Sequence, residues 1–128
     1  MLIDEAISEF GRSLGIPSLT LGESGRLALS FGDYGELFFE KRPGEHYGEE
    51  ILLVCLARDH GHQPEQAALR ALEACHPLRM PREIVNVALA LDGRLVLIIR
   101  LEEREVSLPS LESNLQLLKG LHDQASAA

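Results

Sequence analysis

Cys55, His60, His62, Cys75 and His76 are the residues of this chain whose types could do chemistry. Thiolates and imidazoles brought together would bind a metal such as zinc, or would form a nucleophile–base pair. His60-Gly61-His62 follows an apolar run, and Cys75-His76 ends a helical one. Their spacing matches no paired Cys-x-x-Cys unit or other zinc pattern. Cys55 lies inside the continuous apolar stretch Ile51 to Leu56, where burial raises a thiol's pKa and makes it inert. The expectation is two small core cysteines and solvated loop histidines. No Gly-x-Ser-x-Gly, glycine-rich phosphate loop or His-Glu-x-x-His occurs. Glu45, Glu49 and Glu50 form a charged loop with no partner base. We therefore expect no cofactor, no metal and no catalysis. A small thiol or metal enzyme using Cys55, His60, His62 and Cys75 is the less favoured alternative.

The elements that would position such residues belong to one domain, residues 1–128. The formal net charge of −8 argues against a partner held through its phosphates. No apolar run is long enough to cross a membrane. The start, MLIDEAISEF, carries acids where an export signal needs bases, so a cytoplasmic protein with free thiols is expected.

Ile3, Ile7, Phe10 and Leu14 recur at spacings of four, three and four, which predicts an amphipathic helix ended by Gly15 and Pro17. Three strands follow, Arg26 to Phe31, Glu36 to Lys41 and Ile51 to Leu56. Pro64 opens a second helix running to about Cys75, with Ala67, Ala68 and Ala71 permitting close packing. The connection through Pro81 reads as a loop. The last helix starts near Ser107 or Leu108 and carries the stripe Leu108, Leu111, Leu115, Leu118, His122, with a frayed tail from Gln124 to Ala128. The fold class is α+β: helix, three strands, helix, two strands, helix, with a twisted, mainly antiparallel sheet against packed helices.

The hairpin Ile84 to Leu101 is the clearest local signal, because Asp92-Gly93 is a preferred pair for a two-residue turn. That turn sets Leu91 opposite Arg94, Leu89 opposite Val96, Val87 opposite Ile98 and Val85 opposite Arg100. These eight residues would share one face and form the interface of a homodimer. The other face would carry Ala88 and Ala90 beside Leu95, Leu97 and Ile99. An exposed apolar patch of this size usually marks an interface, and a two-fold pair is the economical solution.

The element order, Leu14-Gly15-Ile16-Pro17 and Gly25-Arg26-Leu27-Ala28-Leu29-Ser30-Phe31 resemble the class I type III secretion chaperones, the Tir chaperone (CesT-like) family. The resemblance covers nearly the whole chain. It implies a homodimer in the bacterial cytosol that binds the N-terminal segment of a secreted effector in extended form. Nucleic acid and membrane insertion are not implied. The grooves it implies lie between the first helix and the first three strands, with Ile7, Phe10, Leu29, Phe31, Leu37 and Phe39 supplying them. A chaperone-like adaptor or regulator of secretion would need the same surface.

Overall fold

The computed structural model describes residues 2–76 and 84–126, so the connection through Pro81 lies outside the described residues. The first helix, α1 (Leu2–Ser13), buries Ile3, Ala6, Ile7 and Phe10 along one side. Asp4 and Glu5 complement the positive end of its dipole. Paired bonds close it, Ile16 N–H donating to Gly11 O at 2.8 Å and Gly15 N–H to Arg12 O at 3.1 Å. The chain then folds back and buries Leu19 against the helix. A Cβ at Gly11 would stand 2.5 Å from Leu19 Cβ and 2.9 Å from Ile16 O, so only glycine permits that approach.

Five strands follow the expected order with somewhat longer bounds: β1 (Arg26–Ser30), β2 (Glu36–Pro43), β3 (Glu50–Arg58), β4 (Val85–Leu89) and β5 (Leu95–Glu102). They form one sheet in the order β1-β2-β3-β5-β4, every neighbouring pair antiparallel. Between β3 and β4 runs α2 (Pro64–Ala74), with Pro64 at its start and Ala67, Ala71 and Ala74 buried. Small side chains there let α2 sit close to β4 and to the last helix.

That last helix, α3 (Leu108–Ser126), is capped by a reciprocal pair of serines. Ser110 N–H donates to Ser107 Oγ at 3.2 Å, and Ser107 N–H to Ser110 Oγ at 2.9 Å. Its stripe is buried from Leu111 through Leu115, Leu118, Leu121 and His122 to Ala125. Of the tail expected to fray, Gln124 to Ser126 is helical, with Arg70 Nε on α2 donating to Ala125 O at 2.7 Å; residues 127–128 lie outside the described residues.

The helices cover one face of the sheet. Leu37, Phe39, Leu52, Val54, Leu56, Leu95, Leu97 and Ile99 point into a single core with α1, α2 and α3. Phe10 of α1 meets Phe39 edge-on, with ring centroids 5.5 Å apart.

The β4–β5 hairpin departs from its predicted register by one residue. Gly93 N–H donates to Ala90 O at 2.9 Å and Ala90 N–H to Arg94 O at 2.9 Å, so the loop is Leu91-Asp92-Gly93, three residues long. Gly93 takes the left-handed conformation (φ 89°) that ends such a loop. Asp92 reinforces it by accepting the Arg94 N–H at 3.1 Å. Val85 then pairs with Ile99, Val87 with Leu97 and Leu89 with Leu95. A slip of one residue moves every side chain of a strand to the other face. Val85, Val87 and Leu89 therefore lie on the helix side. Val96, Ile98 and Arg100 lie on the opposite side, with Asn86 and Ala88. The eight residues expected to share one interface do not share it.

Candidate binding surface

Alternation along β2, β3 and β5 makes the sheet two-sided in its apolar content. With Leu95, Leu97 and Ile99 turned toward the helices, Val96 and Ile98 must face away. The ladders then assemble an apolar band on the far side. Ala28, Phe38, Cys55, Ile98 and Asn86 form one cross-strand row, and Ala57, Val96 and Ala88 lie in the next. Leu53 adds to it from the row between Glu40 and Arg100. Among the described residues no helix covers this face. A shallow groove of about 550 Å³ runs over Ala28, Phe38, Leu53, Cys55, Val96 and Ile98.

Charges line the rim. Glu40 holds Arg26 at 2.9 Å and also engages Arg42. At the other end Arg94 reaches Glu36 and Asp92, each at 2.9 Å, with its guanidinium 5.8 Å from the centre of the Phe38 ring. The Arg94 backbone N–H and side chain hold the Asp92 carboxyl below its usual range. These pairs fix the long rim side chains and leave the band between them apolar.

A second apolar surface lies beyond the β4 edge. Leu69 and Leu72 point outward from α2, 66% and 53% exposed, and Leu89 on β4 is exposed as well. Leu91 at the hairpin tip is fully exposed.

The residues expected to form grooves divide in two. Ile7, Phe10, Leu37 and Phe39 are at most 1% exposed and lie in the core beneath α1, so they cannot meet a partner without opening it. Leu29 and Phe31 are half-buried and pack against the core from the β1 side. Sequence reasoning missed Phe38 and Leu53. Their strands read as continuous apolar runs, in which the outward residues look like the inward ones.

The candidate chemical residues are not brought together. Cys55 sits mid-strand on the open face, its thiol pushed up to about 11 by burial and then by Glu40, against an opposing effect of Arg42. Burial raises Cys75 as well. Among the described residues no group of three or more His, Cys, Asp or Glu side chains is placed to hold a metal ion. His60 is not a solvated loop group: its Nε2 lies 2.9 Å from Nδ1 of the fully buried His122.

Comparison with known proteins bears on the whole chain. The family model of the type III secretory system chaperone SycN matches residues 2–126. No curated protein matches significantly. The fold is similar to a chain of the HopA1–SchA chaperone–effector complex, with a TM-score of 0.69 at 21% identity over 98% of this chain and 94% of that one. It is also similar to a chain in the structure of the Yersinia pestis type III secretion chaperone SycH with a stable fragment of YscM2 (TM-score 0.61, 19% identity, 95% and 98% covered). A chain of the heterodimeric ExoU–SpcU complex from the Pseudomonas aeruginosa type III secretion system matches at 0.58 and 22%, with 97% and 94% covered. At these identities the likeness establishes the fold.

Proposed function

The chain belongs to the family of the type III secretory system chaperone SycN, and from that premise we propose that it binds the N-terminal segment of a type III effector in extended form and keeps it soluble for export. In this reading it is a single-domain binder of the bacterial cytoplasm, without catalytic turnover. The narrower CesT-like assignment drawn from Leu14 to Pro17 and Gly25 to Phe31 belongs to the same proposal.

The uncovered sheet face carries the reading. Each large apolar side chain left in water forgoes roughly 1.5–3 kcal/mol of burial. Phe38, Leu53, Val96 and Ile98 are half-buried, so each keeps a part of that free energy available to a partner that covers it. An extended segment offers apolar anchors at intervals and carries little structure that must first be undone. The net charge of −8 keeps such a binder soluble between clients. The similarity to a chain of the HopA1–SchA chaperone–effector complex supports this reading.

The same proposal includes a homodimer joined at the β4 edge, where the exposed Leu69, Leu72 and Leu89 of one copy would meet those of another. Of the residues first assigned to that interface, Leu89 remains, and Val96 and Ile98 pass to the effector surface.

Co-expression with an effector's N-terminal segment tests the function. The expected pair of results is a soluble complex with the native chain and an aggregated segment with Ile98→Asp. A complex indifferent to Ile98→Asp places the site elsewhere. A segment equally soluble and equally exported without the chain removes the chaperone reading.

A further inference from the structure

Three contacts tie the end of α3 to the end of β3 and the loop after it, and a fourth closes the chain within α3. His122 Nε2 lies 2.8 Å from Leu56 O, and His122 Nδ1 lies 2.9 Å from His60 Nε2. His60 Nδ1 lies 3.1 Å from Ser126 Oγ, which is 3.0 Å from His122 O. We propose that this chain of contacts is an acid-opened latch on the C-terminal end of α3, which holds with no added proton or with one and releases with the second.

Counting hydrogens gives the behaviour. Leu56 O only accepts, so His122 Nε2 carries a hydrogen and its Nδ1 is a lone pair. His60 Nε2 must then donate to that lone pair, leaving its own Nδ1 bare. Neutral, the chain has three hydrogens for four contacts, and the Ser126 hydroxyl serves either His60 or His122 O. One proton on His60 Nδ1 completes it: His60 donates to Ser126, and Ser126 donates to His122 O. A second proton has only His122 Nδ1 to occupy. It would set N–H against N–H between near-parallel imidazoliums whose centres are 5.2 Å apart. His122 has no exposed surface through which water could solvate the added charge.

The surroundings add to that cost. From β3 comes Arg58, from α2 comes Arg70, from the intervening loop Asp59, and from α3 Asp123. Asp123 is engaged by Arg58 at 2.8 Å, and Arg70 by Ala125 O, so the carboxylates offset the cations only in part. Burial, then Arg58 and Arg70, lowers His60. Burial above all takes His122 from 6.5 down to about 4, against the hydrogen bond to Leu56. An unfolded histidine takes its proton near 6.5, so the folded junction loses stability as pH falls from that value toward about 4 and is unaffected above it.

Amide hydrogen exchange on the full chain, expressed as protection factors, tests the latch. Between about pH 6 and about pH 4, residues 119–126 should lose protection by tenfold or more, while β2, β3 and β5 keep theirs. A uniform loss everywhere, or no loss in α3, overturns the proposal. In His60→Gln the amide can donate to neutral His122 or turn its oxygen to accept from the protonated ring, so the selective loss should shrink. An undiminished loss in a folded variant also overturns it. Imidazole nitrogen NMR of the native protein supplies a check that needs no variant: His122 must stay the Nε2–H tautomer while His60 takes the first proton.

Discussion

Cys55 stands across the β3–β5 ladder from Ile98, both half-buried on the sheet face that the helices leave open. The thiol is thus a reporter placed inside the proposed effector groove. Its raised pKa, about 11, has burial as its first cause. In a Cys75→Ser background, alkylation of Cys55 should quicken about tenfold per pH unit and keep rising past pH 9 or so. A plateau near the ordinary thiol value would contradict the burial, and a bound client should slow the reaction at every pH.

Ile98→Asp places a carboxylate in the middle of the apolar band. Because Ile98 lies outside the helix-covered core, the thermal midpoint should move by only a few degrees. Client binding should fall by about 2 kcal/mol or more, since the charge must be desolvated under the partner. Calorimetric titration on the folded variant reads the difference directly. Equal affinity would remove the open face from the site.

Leu72→Glu tests the other surface. The side chain is 53% exposed, so the monomer should fold as before. Light scattering should then report half the native mass in solution. Retention of the native mass would exclude the α2 face as the interface of the proposed dimer.

Gly11→Ala tests the close approach beneath α1. The added methyl would meet both Leu19 and the Ile16 carbonyl, and the carbonyl belongs to the turn that closes the helix. Urea denaturation should register a loss of about 1–3 kcal/mol. A gain, as alanine gives in an open helix, would mean that the loop moves away freely.

Much of the architecture was legible in the sequence. The stripes of α1 and α3, Pro64 at the start of α2 and the alternation of β1 are local signals, and each element appears where its period placed it. The hairpin register was not legible. Asp92-Gly93 suits both a two-residue turn and the end of a three-residue loop, and with apolar residues on both flanks no hydrophobic pattern chooses between them. The same ambiguity hid the site. Phe38 and Phe39 are identical in type and adjacent in sequence, yet one lines the groove and the other fills the core. The pairing of His60 with His122 spans 62 residues and has no local signature.

The one-sided placement of the helices has an evolutionary consequence along β5. Leu95, Leu97, Ile99 and Leu101 face the helix-covered core, while Val96 and Ile98 between them are half-buried on the open face. If the open face is the client groove proposed above, selection for a stable fold and selection for a choice of client fall on interleaved letters of one strand. A lineage could then drift at the even positions, acquiring new cargo, while the odd ones keep it folded.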